Sequence, residues 1–232
     1  MKPTAVSATV IRLSLQGLVN AYLVREQDGF TLIDTTLPRR ASALIEAARV
    51  AGAPIRRIAL THGHGDHVGS LDELRQRLGP DVPVLMGELD ARIHSGETVT
   101  DRRPSGSWPT LRTIPDVRLK SGDRVGSLEV IDSPGHSPGH VAFHDPRNGT
   151  LIAGDVFSTI GGLAVASYPY WRFPLPGFVT FDKPQNLRSA RALRALDPAV
   201  LVVGHGRELH GPVDALDRAI ARAARRLGAA AR

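Results

Sequence analysis

Apolar residues recur along the chain at two spacings, one typical of strands and one typical of helices. Alternating or continuous short apolar runs bounded by turn residues predict nine strands, at residues 8–15, 20–26, 30–35, 55–62, 82–87, 128–136, 140–145, 150–155 and 199–205. Helical periodicity predicts four helices, at residues 39–52, 68–79, 184–196 and 217–232. Residues 88–117 are polar and carry Gly and Pro, so loops with one short helix are expected there.

The order of these elements indicates an α/β fold. Strands followed by a strand–helix alternation occur twice along the chain, and this arrangement favours sheets packed together with helices outside. A chain of 232 residues with 42% hydrophobic residues is long enough for one large core. A single domain covering residues 1–232 is therefore expected.

Composition and charge narrow the classes of protein. The chain has no cysteine, which excludes disulfides and thiolate ligands. It has no apolar run of membrane-helix or signal-peptide length, so a cytoplasmic protein with no membrane partner is expected. The net charge of +6 invites a nucleic-acid partner, but the arginines are scattered. The densest basic run, residues 217–232, is typical of a solvated helix face, so no nucleic-acid partner is expected.

Residues 60–70 (LTHGHGDHVGS) concentrate candidate chemistry at the end of a predicted strand. His62 and His64 are two apart and share one side of an extended segment, and Asp66 and His67 follow in the turn before a helix. A single strand-end histidine is usually structural, and Asp66 alone is compatible with a helix cap. Four such residues together, unpaired, would cost several kcal/mol if buried. A divalent metal offsets that cost, and nitrogen and oxygen are the only ligands available.

This motif resembles the H-x-H-x-D-H signature of the metallo-β-lactamase superfamily, and later motifs extend the resemblance over nearly the whole chain. DSPGHSPGH, LIAGDVF and LVVGHG follow in order, each at a predicted strand end. The resemblance implies a four-layer αββα sandwich. It also implies seven ligands: His62, His64 and His136 for one metal, Asp66, His67 and His205 for the other, and Asp155 bridging both.

A complete ligand set predicts a catalytic centre. Imidazoles with a bridging carboxylate leave an open position at each ion, and a water shared by two ions becomes a nucleophile near neutral pH. Two divalent ions are expected, with zinc favoured and manganese or iron compatible with the same ligands. Asp66 and Asp155 are the predicted catalytic residues.

Other polar residues near these motifs have open roles. His140 is either a support for the ligands or a surface residue, and His144 is interpreted as structural. Asp34 stands where the family often has a carboxylate that orients a ligand, although an ordinary strand-end Asp is nearly as common. His94 and His210 are expected at the surface.

Residues 157–181 hold seven of the chain's eleven aromatic residues and follow the predicted bridging Asp155. A long connection of this kind is more often functional than structural, so a lid that binds substrate through Tyr168, Tyr170 or Trp171 is predicted. Alternatively, these rings only pack the loop onto the core, or they pack it onto a partner subunit. The second of these arrangements implies a homodimer.

The resemblance implies a small-molecule hydrolase of the glyoxalase II-like or lactonase-like branch, acting on an ester, thioester or lactone carbonyl. Two departures restrain this interpretation: the residues after His205 suffice for only one helix, and Ser158 stands where acyl-homoserine lactonases have a tyrosine. A sulfur dioxygenase-like iron enzyme and a ribonuclease Z-like phosphodiesterase are the alternatives. The complete ligand set for a second metal argues against the dioxygenase, and the lack of a basic stripe argues against the phosphodiesterase.

Overall fold

The computed structural model describes residue 1 and residues 3–230 of the chain. Two β-sheets lie face to face, and each carries helices on its outer side. This is the predicted four-layer αββα arrangement.

The first sheet has seven strands whose order in space is their order in the chain. They are β1 (Pro3–Ala5), β2 (Val10–Leu15), β3 (Val19–Arg25), β4 (Phe30–Ile33), β5 (Ile55–Leu60), β6 (Val84–Gly87) and β7 (Val117–Leu119). Strands β1 to β4 pair antiparallel through short turns, whereas β4 to β7 are parallel. The parallel strands require crossover connections, and these contain α1 (Ala41–Val50), α2 (Gly65–Val68), α3 (Leu71–Leu78) and α4 (Glu88–His94).

The second sheet has six strands in the order β15, β14, β11, β10, β9, β8. Their bounds are β8 (Arg124–Val125), β9 (Leu128–Asp132), β10 (Val141–Asp145), β11 (Thr150–Ile152), β14 (Val200–Val202) and β15 (Leu209–His210). Among the neighbouring strands described in this sheet, β11 and β14 pair parallel and the others pair antiparallel. The segment between them contains a 3-10 turn (Gly154–Val156), the hairpin strands β12 (Phe157–Ser158) and β13 (Ala164–Val165), and the helices α5 (Leu175–Val179) and α6 (Lys183–Arg194). Helix α7 (Val213–Ala230) follows β15.

Three apolar clusters fill the three interfaces between the four layers. The central cluster joins the sheets, with Tyr22 and Ile33 from the first and Phe143 and Val202 from the second. One outer cluster packs α1 and α3 onto the first sheet, and the other packs α6 and α7 onto the second. Burial of apolar area at all three interfaces is the main favourable contribution to folding.

The sheets meet at the edge where the motif-bearing strands end. The amide of Val141, which begins β10, donates to the carbonyl of Thr61, which follows β5 (2.9 Å). The amide of Asn20 in β3 donates to the carbonyl of Gly204, which follows β14 (2.9 Å). These bonds fix the candidate ligand segments of one sheet against those of the other.

The nine predicted strands and four predicted helices all correspond to observed elements, with differences at their ends. The strand predicted at 128–136 ends at Asp132, because Pro134 cannot donate to a ladder and Gly135 has a φ of 131°. The terminal helix begins earlier than predicted, and residues 231 and 232 lie outside the described residues. No described helix combines the length and the hydrophobicity that a membrane crossing requires.

The interface between the sheets provides a test of the core. Phe143 is fully buried there, so Phe143→Ala should lower the free energy of unfolding by about 3–5 kcal/mol. Ile114, which is 67% exposed, is the control, and Ile114→Ala should change that free energy by less than about 0.5 kcal/mol. Urea unfolding measures both, and equal midpoints for the two variants would contradict the assignment of the core.

Candidate metal centre

The first ligand cluster consists of three buried histidines from two loops. His62 and His64 follow β5, and His136 follows β9. The Nε2 atoms of His62 and His136 each lie 3.1 Å from Nδ1 of His64. A tetrahedral ion about 2.0–2.1 Å from each nitrogen would space them by about 3.3 Å, so the three nitrogens already have nearly the spacing that one ion requires.

The second cluster consists of Asp66, His67 and His205, with Asp155 between the two clusters. Nε2 of His205 lies 3.4 Å from Oδ2 of Asp66 and 3.0 Å from Oδ2 of Asp155. The same Asp155 oxygen lies 3.5 Å from Nε2 of His136 in the first cluster. The structure therefore brings all seven predicted ligands together and places Asp155 where a bridging ligand would stand.

Each histidine ring is held by one nitrogen, which leaves the other nitrogen facing the centre. The five partners are all oxygens, as is usual around metal-binding imidazoles: Thr61 Oγ1 for His62 Nδ1 (3.0 Å), Ser105 O for His64 Nε2 (2.9 Å), Asp34 Oδ2 for His67 Nδ1 (2.8 Å), Thr180 Oγ1 for His136 Nδ1 (3.0 Å) and Leu18 O for His205 Nδ1 (2.8 Å).

Asp34 supports a ligand of each cluster, which resolves its open role. Its Oδ2 accepts from His67 Nδ1 (2.8 Å) and from Thr61 Oγ1 (2.9 Å). Because the Thr61 hydroxyl donates to Asp34, it accepts from His62 Nδ1 (3.0 Å). Asp34 also accepts from the Thr61 amide (2.8 Å). One carboxylate therefore fixes the tautomer of His67 directly and that of His62 through a hydroxyl.

Two buried polar atoms at the centre lack a hydrogen-bond partner within the described chain and are placed to bind a cation. His67 Nε2 and Asp155 Oδ1 have no hydrogen-bond partner among the described residues, and they lie 3.5 Å apart. Leaving such atoms unsatisfied costs about 1–3 kcal/mol each. A divalent ion between them would contact both. The donor set of imidazole nitrogens and carboxylate oxygens suits zinc, manganese or iron, so the residues present fit the metal pair that the sequence predicts.

The charges at the centre also favour a cation. Burial lowers the pKa of His62 and His136, so both rings are neutral and offer a lone pair. Burial alone would lower the pKa of His205, but the carboxylates of Asp155 and Asp66 outweigh it and raise that pKa to about 10. Protons and divalent ions therefore compete for the side of the centre that holds the carboxylates.

Two glycines let the backbone pass close to the ligands. A Cβ at Gly204 would collide with Oδ1 of Asp155. Gly106 has a φ of 87°, and a Cβ there would lie 2.5 Å from Nε2 of His64. Only glycine therefore fits at these two positions against the ligands.

The remaining histidines have distinct environments. His140 is fully buried; burial lowers its pKa to about 3, and its Nε2 accepts from the amide of Asp155 (3.1 Å). His144 is partly buried near Glu129, and His210 is exposed as predicted. The prediction for His94 is wrong, because this ring is half-buried and its Nε2 donates to the carbonyl of Gly63 (3.0 Å).

Two further residues, which the sequence analysis missed, hold the ligand loops. Asp90 in α4 accepts from the amide of Gly63 (2.9 Å), the hydroxyl of Ser137 (2.6 Å) and the amide of Gly139 (2.6 Å). It therefore joins the two loops of the first cluster. Asn20 in β3 donates to the carbonyls on either side of the Gly204–His205 segment, at Val203 and Gly206. A polar residue inside an apolar strand was the only sequence signal for Asn20.

The ligands open into one cavity of about 230 Å³. Its other walls are Gly106 and Ser107 on one side and the apolar residues Phe173, Leu175, Pro176 and Val179 on the other. The ring of Phe173 lies 5.5 Å from that of His205. Among the described residues, no lysine or arginine lines this cavity.

The three aromatic residues predicted to bind substrate do not line the cavity, so that prediction requires correction. The Tyr168 hydroxyl accepts from Arg222 Nε in α7 (3.0 Å), and the Tyr170 hydroxyl donates to the carbonyl of Gly161 (3.1 Å). Trp171 is 76% exposed. The physical reason is local folding: the β12–β13 hairpin and α5 turn Phe173, Leu175, Pro176 and Val179 towards the ligands and the preceding aromatics away from them.

Asp34 provides a test of the centre. Asparagine tolerates the left-handed backbone found at this position (φ 60°), but its amide cannot accept from both the Thr61 amide and His67 Nδ1. Asp34→Asn should therefore weaken metal binding about 10- to 100-fold, measured by competition with a chelator. Asp81→Asn, at an exposed site, should leave the affinity unchanged. Unaltered affinity in Asp34→Asn would show that this carboxylate does not support the ligands.

Comparison with known proteins agrees with the geometry of the centre. Residues 15–205 match the family model described as the metallo-beta-lactamase superfamily. YobT of Bacillus subtilis (strain 168) is 43% identical over 211 residues, which cover 88% of this chain and 90% of that protein. The probable metallo-hydrolase YybB of the same organism is 27% identical over 191 residues, covering 82% of each chain.

A solved structure supports the same relationship. The crystal structure of TTHA1623 in a di-iron-bound form is 30% identical in sequence, has a TM-score of 0.68, and covers 88% of this chain and 96% of its own. The family match spans most of the chain, and the ligand residues follow one another in the order expected for that family. The chain therefore belongs to the metallo-β-lactamase superfamily of metal-dependent hydrolases.

Proposed function

We propose that this protein hydrolyses an ester, thioester or lactone at a pair of divalent metal ions. The observation that carries the proposal is the cavity in which two complete ligand clusters, joined by Asp155, face an apolar wall. When bound, two such ions lower the pKa of a coordinated water towards neutrality and supply the nucleophile. The chain has no cysteine to serve instead.

The residues of the chain have separable tasks in this reaction. Asp155 is buried between the clusters, so its negative charge would stabilise a cation in either one. Asp66 lines the cavity at about one-third exposure, and its Oδ2 lies 3.4 Å from Nε2 of its fellow ligand His205. Phe173 and Val179 exclude water from one side of the reacting carbonyl, which strengthens electrostatic interactions inside the cavity.

The wall of the cavity favours a carbonyl substrate over a phosphodiester. A phosphodiester carries a negative charge, and sites that bind one usually present lysine or arginine. As far as the structure describes the chain, the lining of this cavity has neither and instead presents four apolar residues. The complete second cluster favours hydrolysis over a mononuclear iron dioxygenase. Zinc remains the favoured metal, and the di-iron form of TTHA1623 supports iron as the alternative.

Metal content tests the binuclear centre. The purified protein should contain two divalent ions per chain, measured by elemental analysis. His205→Ala should lose one of them and retain the other, because His62, His64 and His136 stay intact. His210→Ala, at an exposed site, is the control and should retain both. A single ion in the wild-type protein, with His205 not bound to it, would contradict the binuclear proposal.

Isotope labelling tests the reaction. In oxygen-18 water, a single turnover of a short acyl thioester should place the label in the carboxylate product, because the attacking oxygen comes from water and not from an Asp or Glu carboxylate of the chain. Asp155→Ala should lose most of this activity while the protein stays folded by circular dichroism. Oxygen consumption with a persulfide, or cleavage of a phosphodiester in place of the thioester, would reject carbonyl hydrolysis in favour of an alternative.

A further inference from the structure

A second and larger cavity adjoins the metal cavity. It has a volume of about 490 Å³ and is lined in part by Arg102, Ser105, Phe178, Phe181 and Lys183. We call it the Arg102 cavity.

The two cavities share walls that also hold the metal ligands. In the first shared wall, Ser105 lines the Arg102 cavity, and the next two residues, Gly106 and Ser107, line the metal cavity. In the second, Phe178 and Thr180 line the Arg102 cavity, and Val179 between them lines the metal cavity. The carbonyl of Ser105 accepts from His64. A molecule bound in the Arg102 cavity would therefore lie one wall away from the metals.

The cavities differ in charge. Over residues 1 and 3–230, the metal cavity has no cationic side chain besides its histidines, whereas the Arg102 cavity has Arg102 and Lys183. Within the described part of the chain, neither of these residues forms an ion pair with a carboxylate. The one carboxylate in the lining, Asp182, caps α6 by accepting from the amide of Gln185 (2.8 Å). Positive charge therefore exceeds negative charge in this cavity.

The guanidinium of Arg102 is held in place with donors to spare. It stacks 4.4 Å from the centroid of the Phe181 ring and donates to the Phe181 carbonyl (2.5 Å). A guanidinium has five N–H donors in a planar fork that matches carboxylate or phosphate. Most of these donors are left for a ligand, and the stacking reduces the side-chain freedom that binding would otherwise remove.

Apolar surface connects the two cavities. Leu175 lines the metal cavity and Phe178 lines the Arg102 cavity, and both project from α5 with 61% and 63% of their surface exposed. Contiguous exposed apolar surface is a feature of ligand-binding grooves. An extended substrate would cover both.

We propose that the Arg102 cavity is a subsite for an anionic group at the far end of the substrate. This proposal rests on the proposed function and specifies its substrate class: an ester or thioester with an uncharged apolar acyl group and a phosphate or carboxylate on its other part. The acyl group occupies the apolar metal cavity, the intervening chain lies over Leu175 and Phe178, and the anion pairs with Arg102 and Lys183.

Matched thioesters test this subsite on the metal-loaded enzyme. The substrates are butyryl thioesters of pantetheine, of phosphopantetheine and of a pantetheine derivative ending in a carboxylate. Arg102→Gln should raise KM for the two anionic thioesters by about 3- to 10-fold, the range for an exposed charged contact, and leave KM for the neutral one unchanged. The effect should shrink at high salt, and the more affected anion identifies the group that the site prefers.

Arg103→Gln is the matched control, because Arg103 is the exposed neighbour outside the cavity lining. It should change none of the three KM values. An equal change for all three thioesters in Arg102→Gln, or no change, would overturn the subsite while leaving the hydrolase proposal intact.

Binding of phosphopantetheine itself, followed by calorimetry, separates the two proposals if no thioester is hydrolysed. Binding that Arg102→Gln weakens and Arg103→Gln does not would support the subsite even though the hydrolase proposal had failed. No detectable binding to the wild-type protein, together with no turnover, would overturn both.

Discussion

Burial of five imidazole rings and the Asp155 carboxylate beside Asp66 requires a fixed hydrogen-bond partner for each ring outside the centre. Asp34 meets this requirement for two of the five rings, because it bonds His67 directly and reaches His62 through Thr61. It stands directly after β4, beside the end of the parallel strand β5. The pairing of these two strands therefore aligns a ligand from each cluster before any metal binds.

The rest of the fold brings distant segments to that edge. His136 follows β9 of the second sheet, and its loop is tied through Asp90 to α4, which follows β6 of the first sheet. The loop with His205 is tied to β3 through Asn20. The apolar cluster between the sheets keeps these contacts in place, so stability of the core and geometry of the centre depend on the same packing. The apolar wall on α5 then determines which groups fit beside the metals.

The sequence predicted much of this arrangement, for reasons that differ among residues. Hydrophobic spacing predicted the strands and helices and their packing as sheets with helices outside. The family resemblance carried by short motifs at strand ends implied the four layers and the seven ligands. Asp90 and Asn20 could not be predicted because their partners lie far away in the chain. Residues 157–181 were recognised as aromatic, but composition does not tell which face of a segment points inward. The short hairpin and α5 decide that Phe173 faces the centre and Trp171 faces solvent.

The turn between β2 and β3 has an unexpected constraint on its length. Gln16 and Gly17 have φ angles of 54° and 75°, as the two central residues of a type I′ turn require, and this tight geometry brings the carbonyl of Leu18 to Nδ1 of His205 (2.8 Å). Surface turns usually accept insertions at little cost. Here one added residue would move the acceptor away from His205, so among relatives that share these histidines and aspartates this turn should keep its length.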